Sequence, residues 1–164
     1  MEIIKSELEK ILNRCKTTTG NNVSEEMSFN YLTLWYYFLC DDLKYKSMNK
    51  NLSNIDYNDI QSYITDGAND GGIDYVYFDD DTVPKVYVCQ SKYTDSLDYN
   101  SIIAELNKMC NTVEDFFKSK TSNYNSKLKR ELQNALDSLP EQSGDIEYIL
   151  FTKTEVDSEK ILKK

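Results

Sequence analysis

The chain of 164 residues contains no histidine. That absence excludes Ser-His-Asp and Cys-His catalysis, a histidine general base and histidine-ligated zinc. Cations are scarce as well: 19 lysines and arginines stand against 28 aspartates and glutamates, for a net charge of −9. Such a chain does not hold nucleic acid by bulk charge, so contact with a phosphate backbone needs a local basic patch. Only five glycines and two prolines interrupt it, and 40% of its residues are hydrophobic and 12% aromatic. That is the composition of a folded globular chain rather than a disordered one. Long hydrophobic runs are missing: the greasiest stretch, 31–40, is half of the roughly twenty residues a membrane span requires. The opening Met1-Glu2-Ile3-Ile4-Lys5 carries charge from its second residue, unlike a signal peptide. Cys15, Cys40, Cys89 and Cys110 form no Cys-x-x-Cys pair and sit among apolar neighbours. They suit buried thiols in a reducing compartment, so a cytoplasmic protein without membrane association is expected.

What is present is an alternation of helical and strand patterns. Ile4, Leu8, Ile11 and Cys15 predict a helix over 2–16, broken by the Thr- and Asn-rich run 17–22. Ser24 reads as an N-cap, followed by Glu25 and Glu26 in a first turn where carboxylates favour the helix dipole. The stripe Phe29, Leu32, Tyr36, Leu39 and Leu43 carries that helix to about Lys46. Residues 59–64 fit one or two helical turns. Strands are expected over 73–78 and 85–93, rich in valine, tyrosine and isoleucine and separated by a loop of hairpin length. Helices follow over 97–117 and 125–139, the second stopped by Pro140 and Gly144, and 147–152 reads as a buried strand. Residues 156–164 open a further helix, so the chain is expected to be the amino-terminal part of a longer protein with domains beyond it. The expected architecture is one α/β domain over 1–164, comprising an amino-terminal helix and loop (1–22), a core (23–152) and the start of another element (153–164). Because both faces of the strands are apolar, a mixed central sheet covered by helices on both faces is expected.

The chemistry concentrates between residues 66 and 92. Gly67, Gly71 and Gly72 fall within six residues, where the backbone must turn sharply or approach something closely. Alternate residues of a strand share a face, so Asp74, Val76 and Phe78 point one way, as do Val86, Val88, Gln90 and Lys92. The hairpin loop favours the pairs Phe78 with Val86, Val76 with Val88 and Asp74 with Gln90. One face is then apolar at the hairpin end and becomes a carboxylate, an amide and an ammonium at the other. Those three groups suit an oxygen-ligand site for a hard divalent cation with a lysine beside it.

The motif Gly71-Gly72-Ile73-Asp74, then a hairpin and Gln90-Ser91-Lys92, resembles the core of the PD-(D/E)xK nuclease superfamily, in the Mrr-like variant where glutamine replaces the second acid. The fuller string ITDGANDGGIDYVYF…VYVCQSKY is similar to the amino-terminal nuclease-like region of the abortive-infection phage-resistance (AIPR) proteins. The resemblance covers about 24–152, with its specific motifs confined to 66–93. It implies a restriction-endonuclease-like αβββαβ core, although the sequence does not mark a strand ahead of the hairpin. It also implies a Mg²⁺- or Mn²⁺-dependent nuclease of bacterial antiphage defence, with DNA favoured over RNA, products bearing 5′-phosphates, and action as a homodimer. Carried over by position, Asp74 binds the metal and Gln90 supplies a carbonyl oxygen in place of the second acid. Lys92 positions the attacking water and offsets charge on the phosphate. A glutamate of the first core helix completes the catalytic set; Glu26 is favoured, and helix geometry does not separate it from Glu25.

Simpler readings stand beside these. Asp66 and Asp70 begin like a calcium-binding EF-hand loop, but Ala68 at its third position and Tyr77 at its twelfth exclude one. They fit Asx turns that shape the loop with Gly71 and Gly72. Asp74 and Lys92 could form a cross-strand ion pair, and Glu25 and Glu26 could serve the helix dipole alone. Lys118, Lys120, Lys127, Lys129 and Arg130 fall within thirteen residues free of acids. They read either as a solvated loop and helix start or as a nucleic-acid-binding patch. The second reading gains from three cations in a first helical turn, which oppose the dipole. A nuclease fold retained only for binding nucleic acid or protein is the alternative to the enzyme.

Overall fold

The computed structural model describes residues 2–19, 23–40, 57–140 and 144–154. The chain divides into two compact units, Met1–Tyr63 and Ile64–Lys164. The expected turn at 20–22, the continuation of the second helix to Lys46 and the helix opening at 156–164 lie outside the described residues.

In the first unit, α1 (Glu2–Thr19) buries Leu8, Ile11 and Cys15. It runs through the threonines that were expected to break it. The Thr17 hydroxyl donates to the carbonyls of Asn13 and Arg14 at 3.0 and 2.9 Å, a local bond that a helix accommodates. The next helix, α2 (Glu25–Leu34), starts where Ser24 predicts, its hydroxyl accepting from the Met27 N–H at 3.1 Å. After Leu34 the helix widens into a π-turn over Trp35–Leu39, closed by the Cys40 N–H donating to the Trp35 carbonyl at 2.8 Å. The wider turn rotates the buried stripe. Trp35, Phe38 and Leu39 face inward, and Tyr36, which regular spacing puts on the core stripe, is 53% exposed. A short helix, α3 (Tyr57–Gln61), closes the unit's described part.

The second unit is built on a mixed three-stranded sheet, β1 (Tyr75–Asp79), β2 (Lys85–Lys92) and β3 (Asp145–Thr152), in the order β1-β2-β3. Strands β1 and β2 pair antiparallel, with Phe78 opposite Val86 and Val76 opposite Val88, the register expected from the loop. Strand β3 runs parallel to β2, a pairing that needs a long crossover. Helices α4 (Tyr99–Phe117) and α5 (Ser126–Asp137) supply it. Each has a side-chain N-cap: Asp98 accepts from the Ser101 N–H, and Asn125 accepts from the Leu128 N–H.

Both helices pack on one sheet face. Val76, Val86 and Val88 meet Met109, Val113 and Phe116 of α4 and Leu128, Leu132 and Leu136 of α5 in a single cluster. Fully burying side chains of this kind contributes about 1.5–3 kcal/mol each. Phe117, expected on the α4 stripe, is 66% exposed, and Phe116 takes the buried place three residues after Val113. On the opposite face Tyr75 and Cys89 are buried, and Tyr75 stacks on Phe151 with ring centroids 6.2 Å apart.

Candidate functional site

The site grows from the loop that leads into β1. Gly71 and Gly72 adopt φ of +66° and +77°, a region that side chains disfavour. Both positions are also crowded. A Cβ on Gly71 would lie 2.5 Å from Thr112 Oγ1, and one on Gly72 would lie 2.7 Å from the Lys108 side chain. The glycines thus let the loop press against α4, where the Thr112 hydroxyl donates to the Gly71 carbonyl at 2.7 Å. Asn125 holds the other side of the loop. Its backbone N–H donates to the Asn69 carbonyl at 2.9 Å, and its Nδ2 donates to the carbonyls of Thr65 and Ala68 at 3.1 and 3.3 Å. Within the loop, Asp70 accepts from the N–H groups of Gly72 at 2.7 Å and Gly67 at 3.3 Å.

The loop delivers three acids to one place. Carboxylate oxygens of Asp66, Asp70 and Asp74 lie within 4.8 Å of one another, and this trio could hold a metal ion. Asp74, 8% exposed, stands one residue before β1, and its N–H donates to the Cys89 carbonyl at 2.9 Å. Its carboxylate accepts from the Ser91 N–H at 2.7 Å. Burial pushes the Asp74 carboxyl up to about 7; the Ser91 N–H and the Lys92 charge oppose that rise, while Asp66 and Asp70 add to it.

Extending the β1–β2 register by one step sets Asp74 opposite Gln90. Gln90 is 3% exposed, and its Oε1 is buried with no hydrogen-bond partner. A buried acceptor without a donor costs about 1–3 kcal/mol, so such an atom calls for an explanation. Two residues further along the same face, the Lys92 ammonium pairs with Glu105 of α4 at 2.9 Å rather than with Asp74. That pair is half-buried. Burial pushes the Glu105 carboxyl up, but hydrogen bonds from Lys92 and Gln90, with the charges of Lys92 and Lys108, outweigh it and leave it below its ordinary value.

Asp74, Gln90 and Lys92 therefore share one end of one sheet face, and the loop adds Asp66 and Asp70. Two further features are not legible in the sequence: the convergence of all three loop acids and the presence of Glu105. Glu105 lies three residues after Ile102 and four before Met109, both buried. An acid on an apolar helical stripe is the available signal. Glu26 and Glu25 are exposed in the first turn of α2, in the other unit. The cations of the basic segment are largely engaged locally. Lys118 pairs with Glu114 at 2.7 Å, Arg130 with Glu131 at 2.6 Å, and Lys129 donates to the Ser122 carbonyl at 3.3 Å; Lys118, Lys120, Lys127 and Arg130 are all exposed.

No helix among the described residues is long and apolar enough to cross a membrane. Comparison with known proteins gives no match: no family model, no curated protein and no solved structure is similar enough to this chain to place it.

Proposed function

We propose that this chain is a metal-dependent phosphodiester hydrolase, a nuclease of the PD-(D/E)xK type acting on DNA in preference to RNA, and that it serves antiphage defence as its resemblance implies. The observation that carries the proposal is the buried, unpartnered Oε1 of Gln90 on the residue opposite Asp74, beside a trio of acids. An uncompensated acceptor next to converging carboxylates is what a hard cation would satisfy, so the residues fit the Mg²⁺ or Mn²⁺ of the resembled family. Asp74 and Gln90 would hold it, with Asp70 or Asp66 in reach. The ion would supply Lewis-acid polarisation of a phosphate oxygen and a more acidic bound water.

The chain's own residues do the rest. The Ser91 N–H holds the Asp74 carboxylate at 2.7 Å. Lys92, on the same face two residues from Gln90, presents a cation near which the negative charge of a phosphate would be offset. The isolated antiparallel bridge between Ile64 and Tyr75 stands where an αβββαβ core has a strand ahead of its hairpin, which supports the restriction-endonuclease-like reading of the mixed sheet. Glu26 enters this reading through the resemblance alone, as does a homodimer.

A second reading, an inactive nuclease fold kept for binding, is favoured by the commitment of Lys92 to Glu105. One assay separates the two. The protein is incubated with DNA and with RNA, with and without Mg²⁺ or Mn²⁺, beside Asp74→Ala and Lys92→Ala. Metal-dependent cleavage lost in both variants establishes the enzyme; binding without cleavage, unchanged in both, establishes the module.

A further inference from the structure

Glu105, Lys108 and Thr112 of α4 are spaced by three and four residues, so they share one face of the helix. The two outer members fix where that face lies. Glu105 takes the Lys92 ammonium at 2.9 Å, and the Thr112 hydroxyl donates to the Gly71 carbonyl at 2.7 Å. Lys108 lies between them, and its side chain crosses the acidic loop at Gly72. A Cβ on Gly72 would stand 3.1, 2.7 and 3.1 Å from the lysine's Cγ, Cδ and Cε. The stem is thus laid along the loop while the residue stays exposed, as lysines do when they cover a surface and keep their charge in water.

A lysine lying on a loop with three clustered acids is expected to pair with one of them. Lys108 does not: among the described residues its ammonium has no ion-pair partner. The loop acids accept from backbone donors instead, Asp70 from the N–H groups of Gly67 and Gly72 and Asp74 from that of Ser91. Lys92, the other lysine against this centre, is committed to Glu105. Of the two, Lys108 is the one whose charge is available to an incoming anion, and its stem is already placed. A phosphate that approaches Asp66, Asp70 and Asp74 meets like charge, which a point cation beside the loop offsets.

We propose that Lys108 is a substrate-binding residue that contacts a non-bridging oxygen of the phosphodiester backbone beside the acidic trio. The identity of that anion rests on the nuclease reading above; the available cation on the loop does not.

The test uses the full chain as wild type, Lys108→Met, Lys108→Arg and Lys118→Met. Methionine keeps an unbranched stem over Gly72 and removes the charge, arginine keeps the charge, and Lys118 is a cation at the end of α4 already paired with Glu114. Binding of a DNA duplex without metal is followed by fluorescence anisotropy over a range of salt, and cleavage is followed with Mg²⁺ or Mn²⁺. Lys108→Met should weaken binding about fivefold or more near 0.1 M salt and flatten the logarithmic salt dependence by about 0.9, the share of one phosphate. Lys108→Arg, which stays charged, should remain within about twofold of wild type, as should Lys118→Met. Should Lys108→Met fail to fold, Lys108→Gln is read in the same way. A Lys108→Met that matches Lys118→Met in affinity and slope overturns the proposal, and so does an equal loss in Lys108→Arg. A wild type that binds DNA but cleaves none with either ion overturns the hydrolase alone, and the salt slopes then decide Lys108 by themselves. A wild type that binds no DNA overturns both.

Discussion

The carboxylate of Asp74 accepts a 2.7 Å hydrogen bond from the backbone N–H of Ser91, the residue between Gln90 and Lys92. One bond thus ties the acid on the loop side of the hairpin to the strand that carries the amide and the amine. It is a donor that no substitution at 91 other than proline removes, so the acid's placement depends on strand pairing more than on neighbouring side chains.

Asp74 should make the protein less stable as pH rises. Its carboxyl titrates near 7 when folded and near 3.8 otherwise, so the folded state keeps the proton over that interval. Stability from this group is complete below pH about 4, falls between 4 and 7, and levels off above, with a span of roughly 4 kcal/mol at most. Asp74→Asn can still accept from Ser91 and cannot ionise. Urea unfolding at pH 5 and pH 8 should show Asp74→Asn gaining on the wild type by a few kcal/mol at the higher pH; equal gains at both would contradict the burial argument.

Gln90→Glu should move cation affinity and stability in opposite directions. A second buried acid opposite Asp74 and beside Glu105 adds like charge, which costs the metal-free fold on the order of 1–3 kcal/mol at pH 8. A further anionic ligand should also tighten Mn²⁺ binding about tenfold or more. Calorimetric titration and thermal unfolding with and without the ion check both halves.

Replacing the paired glycines should cost unequal amounts. At Gly71 an alanine Cβ meets Thr112 at 2.5 Å, with φ at +66°, and Thr112 is itself bonded to the loop. At Gly72 it meets the flexible Lys108 stem at 2.7 Å, which can swing aside. Gly71→Ala is expected to lose about 3 kcal/mol or more and Gly72→Ala about 1–2, mainly backbone strain. Denaturant midpoints would reverse the assignment if Gly72→Ala proved the more damaging.

Much of the site is legible from residues alone. Strand alternation and a six-residue loop suffice for the β1–β2 register, because a slip of one position would turn every valine outward. Ser24, with a hydroxyl one residue before two acids, marks the start of α2 for an equally local reason. Glu105 escapes because periodicity says which side of a helix faces the sheet but not which strand residue it meets. Phe117 and Tyr36 leave their expected stripes for a related reason: an end turn and a widened π-turn each shift the stripe by one position, and nothing local announces either.

Nucleic-acid contact should depend on the cations of the basic segment that face no acid, not on all five. Lys118 and Arg130 each face an acid within 2.7 Å. Lys120→Ala with Lys127→Ala should therefore weaken DNA binding and flatten the logarithmic salt dependence by about 2, near 0.9 for each phosphate no longer neutralised. Lys118→Ala with Arg130→Ala should change that slope by well under 1. Equal slopes for both double variants would leave the segment as solvated surface.

Asn125 begins α5 and also holds the carbonyls of Thr65, Ala68 and Asn69, some sixty positions earlier. A chain growing from its amino terminus has therefore made Asp66, Asp70, Asp74, Gln90, Lys92 and Glu105 before it has made the clasp that shapes their loop. Assembly of the acidic centre waits on a residue outside it, and truncation ahead of residue 125 would leave every one of those side chains covalently present and the arrangement unformed.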